Sequence, residues 1–319
     1  MVRLAQLPKE LLRRRGRPRP LPPFELRTLP LLPFAFPRRR DHRDMSLRLV
    51  GRAGRWFLAW ALAMGVVAAA APAWAQSSPD ASPVAVGTVT VAAAADLVFA
   101  LDELNAQFQA AHPGTTVKVT TGASGNLFAQ IRQGAPFDVF LSADMNFPRE
   151  LVKAGAADEV SLRAYAVGHL VLWTTKTNVP VQQGLAILTN AAVGRIALAN
   201  PVTAPYGRAA KAALTNAGLW EAVQPKLVLG ENIAQTAQFV QTGNADVGLV
   251  SLSLVSAPKL TGIGAWWPVP ESAHPRLEQG AILTARGATN GLARAYIAFL
   301  GSDTARVVLD RFGFRRPTP

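Results

Sequence analysis

From Thr88 onward the chain alternates short apolar runs with segments whose apolar residues recur every three to four positions. Thr88–Ala92 reads as a buried strand. Leu97, Ala100, Leu101, Leu104, Phe108 and Ala111 then share one helical face, and Pro113-Gly114 ends that helix. Thr116–Thr120 alternates as a second strand. A second helix runs through Leu127, Phe128 and Ile131 after the turn Gly122–Gly125, and Phe137–Leu141 is a third strand. Strand–helix repetition with short connections predicts an α/β fold built on mainly parallel sheets flanked by helices. The order restarts with strands at His169–Thr174, Arg195–Ala199 and Asp246–Val250 and helices over 206–217 and 233–242. A strand at Ala281–Thr284 and helices at Gly291–Leu300 and Asp303–Phe312 close the pattern. Roughly 230 residues of this kind divide better into two lobes of about 110 than into one domain.

Charge changes the picture only at the N-terminus. The chain carries a formal +13, yet residues 1–55 hold 15 of the 33 Lys and Arg and only Glu10, Glu25, Asp41 and Asp44 as acids. The rest is close to neutral and presents no polyanion-binding run, so nucleic acid is not an expected partner. Residues 1–44 are basic and Pro/Arg-rich, without a sustained apolar period, and read as a disordered extension or as a gene-model artefact with translation starting at Met45. From Met45, Arg48, Arg52 and Arg55 precede the apolar run Trp56–Val67, and Ala73-Trp74-Ala75 supplies small residues before a cut. Residues 45–75 therefore read as a secretory signal cleaved after Ala75, with 76–87 a flexible Ser/Pro/Ala leader. There is no cysteine, which excludes disulfides, thiol catalysis and a lipid anchor on Cys. The expected location is the periplasm.

Candidate chemistry lies at strand-to-helix junctions. Ala94-Ala95-Asp96 and Gly122-Ala123-Ser124-Gly125-Asn126 place small or hydroxyl residues where helices begin. A helix start exposes unpaired N–H groups and partial positive charge, which hold an anion without Lys or Arg. Taken singly, such a junction is more simply an N-cap. Pro205-Tyr206-Gly207 and Glu231-Asn232-Ile233 open two further helices. Enzyme chemistry finds little support. His112, His169 and His274 show no metal-ligand or Ser/His/Asp arrangement, Asp102-Glu103 and Asp158-Glu159 read as solvated helix or loop faces, and Trp266-Trp267 as a packed loop. No phosphate-cradling loop or Rossmann glycine pattern is present.

The runs Val89–Leu97, Gly122–Leu127, Gln130–Asp144 (with Gly134-Ala-Pro-Phe-Asp-Val-Phe-Leu-Ser-Ala-Asp144) and Arg311-Phe-Gly-Phe314 resemble the periplasmic molybdate-binding proteins of ABC importers. The likeness extends from about Thr88 to Arg316. It implies the two-lobed periplasmic-binding-protein fold with a ligand cleft between lobes, lobe 1 being 88–166 and 282–319 and lobe 2 being 167–281. It implies molybdate, and also tungstate, held by neutral donors, with no cofactor, no catalysis and no direct protein–metal bond. The partners implied are an inner-membrane permease and its ATPase, and the expected state is a monomer. Carried over residue by residue, the oxyanion site falls on Asp96, Ser124, Tyr206, Ile233 and Ser251. Asp96 departs from the family's usual Ser or Asn. Because an ionised carboxylate repels a dianion, its side chain is expected to turn away and cap the helix. A protonated carboxyl, or a different ligand such as sulfate, thiosulfate or an organic anion, are the other readings. A periplasmic sensor domain and a secreted enzyme are the rivals from other classes.

Overall fold

The computed structural model describes residues 87–317. The expected basic extension, signal sequence and leader, apart from Gly87, lie outside the described residues. The first lobe opens with β1 (Gly87–Ala94), α1 (Val98–Ala111), β2 (Thr115–Gly122), α2 (Ser124–Arg132), β3 (Val139–Ser142), α3 (Asn146–Lys153) and β4 (Ala157–Gly168). The second lobe holds β5 (Leu170–Thr174), β6 (Ile196–Ala199), α4 (Pro205–Asn216), α5 (Trp220–Val223), β7 (Leu227–Gly230), α6 (Ile233–Gln241), β8 (Val247–Ser251), α7 (Leu252–Val255) and β9 (Ala265–Pro268). The chain then returns to the first lobe with β10 (Leu277–Thr284), α8 (Gly291–Leu300) and α9 (Asp303–Arg311).

Each lobe is built on one five-stranded sheet, in the orders β2-β1-β3-β10-β4 and β7-β6-β8-β5-β9. Three neighbouring strands of each sheet run parallel. β10 and β4 in the first sheet, and β5 and β9 in the second, join through antiparallel pairings, so both sheets are mixed. Central strands are apolar on both faces because helices cover both. In the first lobe Val89, Val91, Leu101, Leu104, Phe108, Tyr296 and Leu309 pack on one side, and Ala92, Leu127, Phe140, Leu151 and Ile282 on the other. α1 ends at the turn preceding Gly114, whose φ of 80° suits only a residue without Cβ.

Several segments differ from their sequence reading. Asp158 and Glu159 lie in β4, a strand whose first half is polar because it faces solvent at a sheet edge. Trp266 and Trp267 are not loop residues but form β9, paired antiparallel with Trp173 and Leu172 of β5. β10 begins at Leu277 rather than Ala281, since Gln279 and Gly280 interrupt the apolar run while the pairing to β4 continues across a register shift between them. Residues 277–281 therefore belong to the first sheet, and the chain recrosses between β9 and β10. The outward crossing takes one residue, His169, whose Nδ1 lies 3.3 Å from Glu271 Oε1 and whose burial lowers the imidazole pKa. No helix among the described residues is long and apolar enough to cross a membrane.

Candidate functional site

The registers of the two sheets bring four helix starts to one place. Ala94 at the end of β1 lies beside Gly122 at the end of β2, so the segments that follow, Ala95–Leu97 and α2, start side by side. In the second sheet Ala199 is paired with Gly230, which sets the approaches to α4 and α6 in the same relation. Carboxyl ends of parallel strands are where open α/β sheets bind ligands. Here the two sets of ends face each other across the lobes.

Between them lies a cavity of about 10 Å³ lined by Ala94, Ala95, Asp96, Gly122, Ala123, Ser124, Ala143, Ala204, Pro205, Tyr206 and Ile233. That is about the room one water needs and far below the roughly 300–1,000 Å³ of sites for drug-sized molecules, so only a small ligand could be held here. Four of the five expected site residues border this one space. Ser251 does not. It is fully buried at the end of β8, where its hydroxyl is 3.0 Å from that of Ser253, and Ser253 also lies 2.8 Å from the Asp96 carbonyl oxygen. Neither Ser251 nor Ser253 is among the residues that line the cavity.

The donors present are uncharged. Ser124 Oγ accepts the Ala143 N–H at 3.0 Å, which leaves its own proton to donate into the cavity. Asn232 caps α6 by accepting from the Ala234 and Gln235 N–H groups, each at 3.0 Å, while the N–H of Thr236 goes to the Asn232 carbonyl at 3.1 Å. The first amide of that helix, on Ile233, has no intrahelical acceptor and sits against the cavity. Tyr206 follows Pro205 at the start of α4 and is buried to 1% exposure. Its phenol pKa stands well above the usual range because of burial and the neighbouring Asp96 carboxylate, so it is a proton donor at every relevant pH.

Asp96 does not cap its helix. Asp96 is the second residue of the 3-10 turn Ala95–Leu97, whose cap position belongs to Ala94, and no side chain bonds there. Instead the carboxyl turns inward at 1% exposure. Oδ2 accepts from Gln279 Nε2, the Tyr206 phenol also bonds the carboxylate, and Oδ1 has no partner. Burial pushes this carboxyl up to about 6, against the hydrogen bonds from Gln279 and Tyr206 that pull it down. Gln279 is held in turn by the Tyr165 hydroxyl, 2.6 Å from its Oε1. Neither Gln279 nor Tyr165 is visible in a local motif, although a glutamine inside an apolar strand is itself a signal, since a buried amide needs partners. Of the small lining residues, Ala123 falls within a junction read from the sequence, whereas Ala143 and Ala204, which directly follow β3 and precede α4, were not singled out.

Asp144, the last residue of the Gly134–Asp144 run, serves both lobes. Its Oδ1 accepts the N–H groups of Asn146 and Phe147 at 3.1 and 3.2 Å and so starts α3, while Oδ2 pairs with Arg208 of α4. The Arg208 guanidinium also lies 5.1 Å over the Phe147 ring. A backbone bond from Gly125 N–H to Thr203 O at 2.9 Å adds a third link between the lobes. A Cβ on Gly125 would stand 2.8 Å from that oxygen, so only glycine allows the approach. Asp138 of the same run accepts from the Thr90 N–H and hydroxyl at 2.8 and 2.7 Å, tying β3 to β1 beneath the site.

Comparison with known proteins places this geometry. Residues 89–315 match the family model described as bacterial extracellular solute-binding protein. The chain is 41% identical over 227 residues to the molybdate-binding protein ModA of Azotobacter vinelandii, covering 71% of this chain and 89% of that one. It is 38% identical over 232 residues to ModA of Rhodobacter capsulatus, covering 73% and 90%. The solved structure of the Azotobacter vinelandii periplasmic molybdate-binding protein superposes with a TM-score of 0.69 at 31% identity, over 72% of this chain and all of that one. A two-lobed α/β scaffold, a small cavity between facing strand ends and these matches lead to one conclusion: the chain belongs to the bacterial extracellular solute-binding protein family.

Proposed function

We propose that this protein captures molybdate in the periplasm and delivers it to an ABC importer, with tungstate as the second ligand. The observation that carries the reading is the cavity between the lobes, where the Ser124 hydroxyl and the Ile233 amide converge beside the Tyr206 ring and no Lys or Arg is among the lining residues. Fixed neutral dipoles at helix starts hold a dianion while leaving no mobile countercharge to trade for other anions. The names of the relatives at 41% and 38% identity support molybdate over other oxyanions. In this reading Asp96, Ser124, Tyr206 and Ile233 contact the ligand, and Ser251 supports the site through Ser253. The lobes hinge at His169 and at the segment between β9 and β10. Ligand contacts from both lobes favour the closed form, which docks on the permease and, through it, its ATPase. The protein acts as a monomer, exported by a signal cleaved after Ala75.

Calorimetric titration with molybdate, tungstate, sulfate and phosphate tests this directly. Tight binding of the first two and weak binding of the others is expected, because donors without acceptors leave a protonated phosphate's hydrogen unpaired. Indifference to all four, or a preference for sulfate, rules the reading out.

A further inference from the structure

Asp96 poses a problem that the molybdate reading alone leaves open: a buried carboxyl lines a cavity otherwise built to attract negative charge. The geometry of its two oxygens resolves it. Oδ2 is occupied by Gln279 Nε2, whose amide is oriented by the Tyr165 hydroxyl bonded to its Oε1. Oδ1 is buried and unpartnered, on a residue that borders the cavity. A fully deprotonated tetrahedral oxyanion has only acceptors to offer an adjacent oxygen. Such a ligand and an ionised Asp96 therefore repel, whereas a proton on Oδ1 turns the same contact into a hydrogen bond.

The surroundings favour the neutral acid. Tyr206 on α4 and Tyr165 on β4 are the titratable groups facing Asp96, and both stay protonated. α6 and α7, which pack against the Asp96 turn, carry no charged residue from Ile233 to Gln241 or from Leu252 to Val255. On α1 the nearest acid, Asp102, is exposed, as is Lys118 on β2. None of the ion pairs among the described residues includes Asp96. With no cation to hold it ionised, burial raises its pKa to about 6. A dianion beside it raises that value further.

We propose that Asp96 meets the ligand as a carboxylic acid, donating its Oδ1 proton to a ligand oxygen, so that each dianion captured takes up one proton from solvent. The balance is simple: carboxylate, solvent proton and dianion give a neutral acid hydrogen-bonded to an unprotonated oxyanion, with no covalent bond made or broken. The residue then selects for ligands that lack a proton of their own and makes capture stronger in acidic surroundings. This inference rests on the oxyanion reading above.

The test is calorimetric titration of the purified protein with molybdate between pH 6 and 8.5, in buffer pairs that differ in ionisation enthalpy, alongside Asp96→Asn. The expected result is uptake approaching one proton per molybdate above pH 7. Affinity should fall by up to about tenfold per pH unit in the same range. Asp96→Asn, which places an N–H donor where the acid proton would be, is expected to bind without proton uptake, with a flat pH profile and more tightly than the parent at pH 8. Molybdate binding by the parent with no proton uptake overturns the proton inference and leaves the molybdate reading standing. Absence of molybdate binding at every pH removes both. Stronger binding of hydrogen phosphate than of molybdate overturns the inference as well, since the proton would then come from the ligand and Asp96 would be its acceptor. If Asp96→Asn fails to fold, the parent's proton count alone decides.

Discussion

Ser124, which opens α2, and Ser251, which ends β8, are both fully buried hydroxyls, but they differ in where their protons go. Ser124 accepts from Ala143 and lines the cavity, while Ser251 is engaged by Ser253 and does not line it. Ser124→Ala is therefore expected to weaken molybdate binding by about 1–3 kcal/mol, the usual worth of a buried hydrogen bond to a charged group. Ser251→Ala should cost less, and equal losses in a titration of the two variants would refute the assignment. Asp96 carries a stability prediction as well. Its pKa of about 6 in the folded chain lies above the ordinary 3.8. The folded state therefore binds this proton more tightly than the unfolded one, and the ionised carboxylate costs stability at neutral pH. That cost is complete above about pH 6 and disappears as pH falls toward 3.8. Ligand-free Asp96→Asn should exceed the parent by up to about 3 kcal/mol in denaturant unfolding at pH 7.5. The margin should shrink toward zero at pH 4. A margin independent of pH would mean that Asp96 is not the group responsible.

At the scale of elements, what was legible in the sequence follows from burial. β3, β5, β6 and β8 are buried along their whole length and leave short runs without a charged residue, and β1 is buried from Val91 to Ala94, so all five were readable. The strands that escaped notice are β4, β7 and β9, all at sheet edges, where solvent on one side admits Asp158, Arg163 or an exposed Trp266. α3 escaped because Pro148 stands in its first turn and the helix is only eight residues long. The long helices α1, α4, α6, α8 and α9 were visible through their buried stripes, with boundaries off by a residue or so. The junctions of the site were legible for the same reason that they function: Ser124, Tyr206 and Ile233 stand where a helix opens, and helix openings carry local signals. Gln279 and Tyr165 lie in strand interiors, 183 and 69 positions from Asp96 in the first case by direct bond and in the second through Gln279. Only the sheet, bringing β10 beside β4, unites them.

At the scale of the whole molecule, the contacts between lobes fall into two kinds. Those at the cavity depend on what occupies it, whereas the Asp144–Arg208 pair, with Phe147 beneath the guanidinium, joins the lobes through residues that do not line the cavity. Both partners are partly solvated, with side chains 12% and 39% exposed, so screening limits the pair to about 1 kcal/mol or less. That is still enough to move a closing equilibrium, and hence ligand affinity, by up to about fivefold. A charge near an anion site acts at long range too, and the two effects need separating. Arg208→Ala removes a positive charge, so both effects predict weaker molybdate binding. Asp144→Asn removes a negative charge, and long-range attraction alone would then strengthen binding. The amide still caps α3, because Asn serves at that position as well as Asp, so the fold of the first lobe is preserved. If the pair latches the closed form, Asp144→Asn must weaken binding in spite of its favourable charge change. The double variant must then lose little more than either single one. Tighter binding by Asp144→Asn would show that the two residues act only through their field, and that closure is governed by the ligand and the cavity walls alone.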